Sequence, residues 1–169
     1  MSRDRRDRRS GAGAGAGVAD PGADAIAPGS LEALEGVRWP APPADATRLI
    51  ATAHALRRRP VADLAVEDLR LLIGQGIGLP HLLPRAVDLL CRDPWAEGDL
   101  YPGDLLAAVL RCEPDVRTER PDLAARLAAA LRPRAAGPGP GLPEGERHRV
   151  EAFLATGRAA APAPAPGAL

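Results

Sequence analysis

The sequence predicts an all-α fold: a single compact bundle of about five to seven short helices with disordered N- and C-terminal tails. Three observations predict it. Between positions 30 and 157, apolar residues recur at three- and four-residue spacings, the period of a helix with one buried face. No segment alternates with period two for long enough to make a strand. Pro, Gly or a small polar residue punctuates nearly every apolar run, as helix ends require.

The ends carry little to bury. Residues 1–29 hold an Arg/Asp run, a Gly-Ala alternation and a Pro/Gly-rich stretch, and residues 158–169 are an Ala-Pro repeat. Both read as disordered tails. Between them, residues 30–132 form the helical domain, 133–143 a Pro/Gly linker and 144–157 a terminal helix. About 125 residues suffice for one core without a disulfide or a metal.

A first helical turn spans Ser30–Gly36, with Ser30 as N-cap and Gly36 as the stop. Asp45 is the expected cap of the next helix. Leu49, Ala53 and Leu56 form its stripe, Arg57, Arg58 and Arg59 complement the negative end of its dipole, and Pro60 ends it. A third helix runs from Val66 to Gln75 and stops in Gly74-Gln75-Gly76-Ile77-Gly78. Pro80 opens a fourth, reaching Arg92, with Pro84 in its first turn. That helix is apolar around more than half its circumference, which places it at the centre. A turn-rich stretch from Asp93 to Gly103 follows. Further helices are expected at Asp104–Cys112, Glu119–Leu131 and Glu144–Thr156.

Composition narrows the function classes. All 22 basic residues are Arg, and they balance 22 acidic ones, so no global field announces nucleic acid or membrane as the partner. The abundance of Arg, Ala, Gly and Pro fits a G+C-rich coding bias, which weakens any argument from arginine counts. Only four aromatics occur, Trp39, Trp95, Tyr101 and Phe153, so the core is built from aliphatic residues. Cys91 and Cys112 lie in apolar helical patterns and read as buried, reduced thiols. The N-terminus has no apolar signal region and no run approaches the length of a membrane span, so a cytoplasmic protein is expected.

Catalytic motifs are not evident. The Gly74–Gly78 cluster superficially resembles a dinucleotide loop, but its spacing is wrong and it follows a helix, not a strand. Helix termination explains it better. His54, His81 and His148 are far apart and lack partners at helical spacing, so no metal site is expected. No serine or cysteine sits on a glycine elbow. No cofactor and no catalytic residue is expected.

The informative stretch is Asp93-Pro94-Trp95-Ala96-Glu97-Gly98-Asp99-Leu100-Tyr101-Pro102-Gly103-Asp104. Asp93, Glu97, Asp99 and Asp104 contribute a local charge of about −4, with Trp95 and Tyr101 interleaved and no base among them. Capping accounts for Asp99 or Asp104 as readily as binding does, and Trp95 could plug the core. Glu97 has no such explanation. An acidic surface bearing aromatics suits a basic protein partner.

Glu67–Leu79 (EDLRLLIGQGIGL), then Leu82-Leu83-Pro84, then Glu97–Leu106 (EGDLYPGDLL), resemble the immunity proteins of bacterial contact-dependent growth inhibition systems, over residues 31–125. The resemblance implies a cytoplasmic protein that neutralises a cognate toxin C-terminal domain by direct binding. Many such toxins are nucleases, so the partner is expected to be basic. Neither membrane nor nucleic acid is expected as a partner. The chain departs from the pattern at Ala65, where a capping Thr is usual, at His81 and at Pro102.

Two roles stay open for the shared residues. Glu97, Asp99, Tyr101, Asp104, Trp95, Asp93, Arg70 and Gln75 could contact the toxin, or could hold the fold. An Arg70–Asp99 or Arg70–Asp104 pair would be the fold-holding version. Two other functions compete: a helical adaptor or regulator with weak nucleic-acid contact through its arginines, and an enzyme using Asp99 and Asp104 as acid and base.

Overall fold

Among the residues that the computed structural model describes, 28–112, 116, 118–135 and 142–159, seven α-helices and one 3₁₀ turn follow one another. They are α1 (Leu31–Glu35), α2 (Arg48–Arg57), the 3₁₀ turn Val61–Asp63, α3 (Val66–Gly74), α4 (Leu79–Arg92), α5 (Asp104–Arg111), α6 (Pro121–Ala135) and α7 (Glu144–Ala159). Among the described residues there is no strand, only an isolated antiparallel bridge between Ser30 and Pro60. The all-α bundle expected from the periodicity is what forms. The expected tails and most of the linker fall on residues 1–27, 136–141 and 160–169, outside the described ones.

Ser30 caps α1 as expected, its hydroxyl accepting from the Ala33 amide at 3.3 Å, and Gly36 ends the helix in the left-handed region. The cap of α2 is Thr47, not Asp45: the Thr47 hydroxyl accepts from the Ile50 amide at 3.4 Å. Asp45 lies in the turn before it. Leu49 is also displaced from its expected role, since it is exposed while Ala53 and Leu56 face the core.

Arg57 does more than complement the helix dipole. Its side chain is only 2% exposed; one guanidinium nitrogen donates to Glu35 at 2.6 Å and to the Val37 carbonyl at 3.3 Å. Its Cζ lies 4.1 Å from the centre of the Trp39 ring, which also meets the His54 ring edge-on at 5.0 Å. A planar cation with five donors can serve a carboxylate, a carbonyl and an aromatic face together, and an ammonium cannot. This contact ties α1 and the chain after it to α2.

The Gly74–Gly78 segment terminates α3, as its glycines predict. The Gly76 amide donates to the Ile73 carbonyl and the Ile77 amide to that of Leu72, both at 2.9 Å. Gly78 has φ +66°, and a Cβ there would lie 2.7 Å from the methyls of Leu31, so the glycine also lets α1 pack closely. Pro84 is the sixth residue of α4, beyond its first turn, so the helix loses one internal hydrogen bond there.

The centre of the bundle is α5, not α4. Every residue from Asp104 to Leu110 is buried, whereas α4 leaves His81, Arg85 and Asp88 partly exposed. A helix apolar on all sides can only be stable when surrounded. Accordingly α3, α4 and α7 pack on α5, and α4 packs also on α3, α6 and the 3₁₀ turn. Leu123, Leu127 and Leu131, at the expected spacing, face inward from α6, which continues past Leu131 to Ala135. Cys91 and Cys112 are half-buried, their thiols against the Arg126 and Ile73 carbonyls at 3.9 and 3.7 Å.

Candidate functional site

The acidic loop between α4 and α5 is pinned at its base by its own backbone. The Gly103 amide donates to the Trp95 carbonyl at 3.0 Å, closing residues 95–103 into a ring. Gly103, at φ +88°, makes the sharp entry into α5. Asp93 accepts from the Trp95 amide at 3.0 Å, a local turn that starts the loop. Trp95 is half-buried and packs on the core, so it is a plug more than a surface anchor.

Two carboxylates then hold the far side of the ring. Asp104 is the first residue of α5, with its side chain 1% exposed. It accepts from the Gly98 amide at 2.7 Å and from the Leu100 amide at 3.1 Å. Glu67, near the start of α3, accepts from the Asp99 amide at 3.0 Å. Three successive loop amides are thus bonded inward, to acids on two different helices. Gly98 is required by this closeness, since a Cβ there would stand 2.5 Å from Glu67 Oε2 and 2.9 Å from Asp104 Oδ2.

Arg70 balances the charges of the buried Asp104 and the half-buried Glu67. Its Nε and one terminal nitrogen donate to the two Glu67 oxygens in a bidentate pair at 2.5 Å, one turn along α3, and its Nε lies 3.7 Å from Asp104 Oδ2. The bonds to Glu67 are short and directional; the approach to Asp104 is electrostatic only. The Arg70 bond holds the Glu67 carboxyl below the usual glutamate range, helped by the Asp99 amide and opposed by burial. The same pairing raises Arg70.

The sequence residues therefore separate. Arg70 and Asp104 come together in the structure, with Glu67 as the main partner of the guanidinium. Arg70 makes its short contacts with Glu67 and its electrostatic one with Asp104, while Asp99 contributes only its field at longer range. Gln75 is exposed at the opposite end of α3, where its amide donates to the Leu71 and Leu72 carbonyls. Tyr101 is half-buried, and burial pushes its phenol up, with the Glu146 charge adding and Arg111 opposing. Glu97, Asp99 and Asp93 are exposed. Directly after Asp99 stands Leu100, 62% exposed, the most exposed large hydrophobic residue among those described.

Sequence reasoning missed Glu67 and Leu100 as site residues. The i,i+3 spacing of Glu67 and Arg70 was the available signal for the first. For Leu100 there was none, because an apolar residue in a loop reads by default as buried.

An acid–base pair of Asp99 and Asp104 is not assembled. Asp104 faces inward with two amide donors on it, out of reach of any substrate. A recess of about 160 Å³ lies elsewhere, lined by Leu79, Pro80, Leu83, Val116, Glu119 and Arg120, and includes no loop residue. Among the described residues no cluster of His, Cys, Asp and Glu could hold a metal, and no helix is long and apolar enough to cross a membrane.

With this geometry in place, comparison with known families is decisive. A family model for CDI immunity proteins matches residues 33–127, more than half of the chain. The chain belongs to the CDI immunity proteins. The match runs from α1 into α6 and contains the whole Glu67–Arg70–Asp104 network and its loop; α7 lies outside it. No match was found among curated proteins or among solved structures.

Proposed function

We propose that this chain neutralises a cognate toxin domain by binding it directly, and that the loop 97–101 is the docking surface. One observation supports that placement above the others. The loop's amides at 98, 99 and 100 are bonded inward, while Glu97, Asp99 and Leu100 project outward on a frame that cannot collapse over them. Such an arrangement is preorganised, so a partner loses little conformational freedom on docking. Leu100 offers an apolar anchor, and the two acids just before it favour a basic partner and speed its encounter. The protein acts as a binder and not as an enzyme, in the cytoplasm, where a delivered toxin domain would be met.

The adaptor reading, with arginines on nucleic acid, has no comparable support. Among the described residues, Arg59, Arg70, Arg111, Arg120 and Arg126 each pair with a carboxylate of this chain, which reduces the positive charge they could offer to phosphates.

Growth is the direct test. Cells producing the toxin domain encoded beside this chain should recover when the chain is co-expressed. Growth no better than with an empty vector would reject the proposal.

A further inference from the structure

We infer that α7 buttresses the docking loop, with Leu142 and Glu146 acting as positioning residues that hold it in its partner-ready conformation. The inference rests on the docking role proposed above for the loop, but its structural half stands on separate contacts.

Leu142 precedes α7, is 7% exposed, and sits on the loop closure itself. A Cβ on Gly103 would lie 2.8 Å from Leu142 Cδ2 and 3.4 Å from Trp95 Cε3. The bare backbone of Gly103 is therefore the seat into which the leucine fits beside the indole. Any side chain at 103 would lift Leu142 out and would also be strained at φ +88°. The position of Leu142 is fixed by the Arg147 guanidinium, which donates to its carbonyl at 3.3 Å, and by Val150 and Phe153, buried further along the helix.

Glu146 braces the other flank. It accepts from Arg111, at the end of α5, at 3.2 Å, and Tyr101 of the loop lies within the field of both groups. The loop is thus held by Glu67 and Asp104 through its amides and by Leu142 at its closure, while the Glu146–Arg111 pair ties α7 to the end of α5. Only the first of these lies inside the family-matched segment.

A loop that samples several conformations binds in proportion to the fraction that is competent, so loosening the buttress weakens the apparent affinity by that fraction. The test uses the full chain with Leu142→Ala, Leu142→Met and Glu146→Gln. Amide hydrogen exchange is followed at 98–100 and, as the global reference, in α4, alongside affinity for a catalytically inactivated form of the neighbouring toxin domain. For Leu142→Ala the loop amides should exchange about tenfold faster relative to α4, and the Kd should rise by the factor by which the competent fraction, read from that exchange, falls. Leu142→Met should restore both to within about twofold, because volume and shape are kept. If Leu142→Ala does not fold, Glu146→Gln carries the test, with a smaller selective increase at the loop.

Loop exchange that rises only in step with α4 would overturn the buttress, since that is simple global destabilisation. Selectively faster loop exchange with a Kd that does not follow the competent fraction would confirm the buttress and reject the loop as the docking surface.

Discussion

The carboxylate of Asp104 accepts the amide of Gly98, six residues earlier, at 2.7 Å. An acid in the first turn of a helix ordinarily serves its own helix's free amides. Here the helix dipole still favours the charge, but the oxygens turn back to fix the preceding loop. Burial of the charge is tolerated because two amides, the helix start and the Arg70 guanidinium at 3.7 Å surround it.

Asp104→Asn should therefore destabilise the fold well beyond a surface change. The amide keeps one acceptor but turns an NH₂ toward a backbone donor that needs an oxygen. A loss of about 2–4 kcal/mol is expected from an unsatisfied buried donor and a broken charge network. Urea unfolding measures it, and a change under about 0.5 kcal/mol would mean the latch contributes nothing.

Two glycines make a paired comparison. Gly98→Ala drives a methyl toward Glu67 Oε2 and Asp104 Oδ2 and should cost about 1–3 kcal/mol. Gly145→Ala, inside α7 with nothing within 4 Å of the new methyl, should stabilise by about 0.5–1 kcal/mol through helix propensity. Thermal unfolding of both should give shifts of opposite sign.

Ala65 opens α3 without a side-chain cap, although Asp68 reaches back to its amide at 2.9 Å. Half of a capping box is present and the other half needs a hydroxyl. Ala65→Thr should raise stability by about 0.5–2 kcal/mol, visible as a higher urea midpoint with an unchanged slope.

Acid should weaken the latch through Glu67. Its pKa is depressed in the folded chain by the Arg70 bond, so its contribution is fully present above the ordinary glutamate range. That contribution is lost as pH falls through the lower folded value. Glu67→Gln should be less stable than the parent near neutrality, with the difference shrinking toward acid. Parallel stability curves for the two chains would contradict this.

Much of the bundle was legible because helix ends are local chemistry. Ser30, Gly36, Pro60 and the Gly74–Gly78 turn marked boundaries from a few neighbouring residues. The Asp45 and Thr47 confusion arose because two capping residues stood two positions apart, and only the backbone path decides between them. The central helix was misplaced for a different reason. The eight residues of α5 are too short a run to outweigh the longer apolar face of α4, and burial on all sides depends on what α3 and α7 bring. The site divided along the same line. That Arg70 and Asp104 are groups able to pair could be read from the sequence. That Glu67 takes the guanidinium, and that Leu100 is turned outward, depends on which amides the acids capture across the fold.

Affinity of a Leu100→Arg variant for the neighbouring toxin domain tests the docking surface most directly. Leu100 is exposed and away from the latch hydrogen bonds, so unfolding should move by less than about 0.5 kcal/mol. Loss of the apolar anchor and the facing of a cation toward a basic partner should raise the Kd about 100-fold or more, roughly 2.7 kcal/mol. A Kd within about twofold of the parent, at unchanged stability, would place the toxin on some other face.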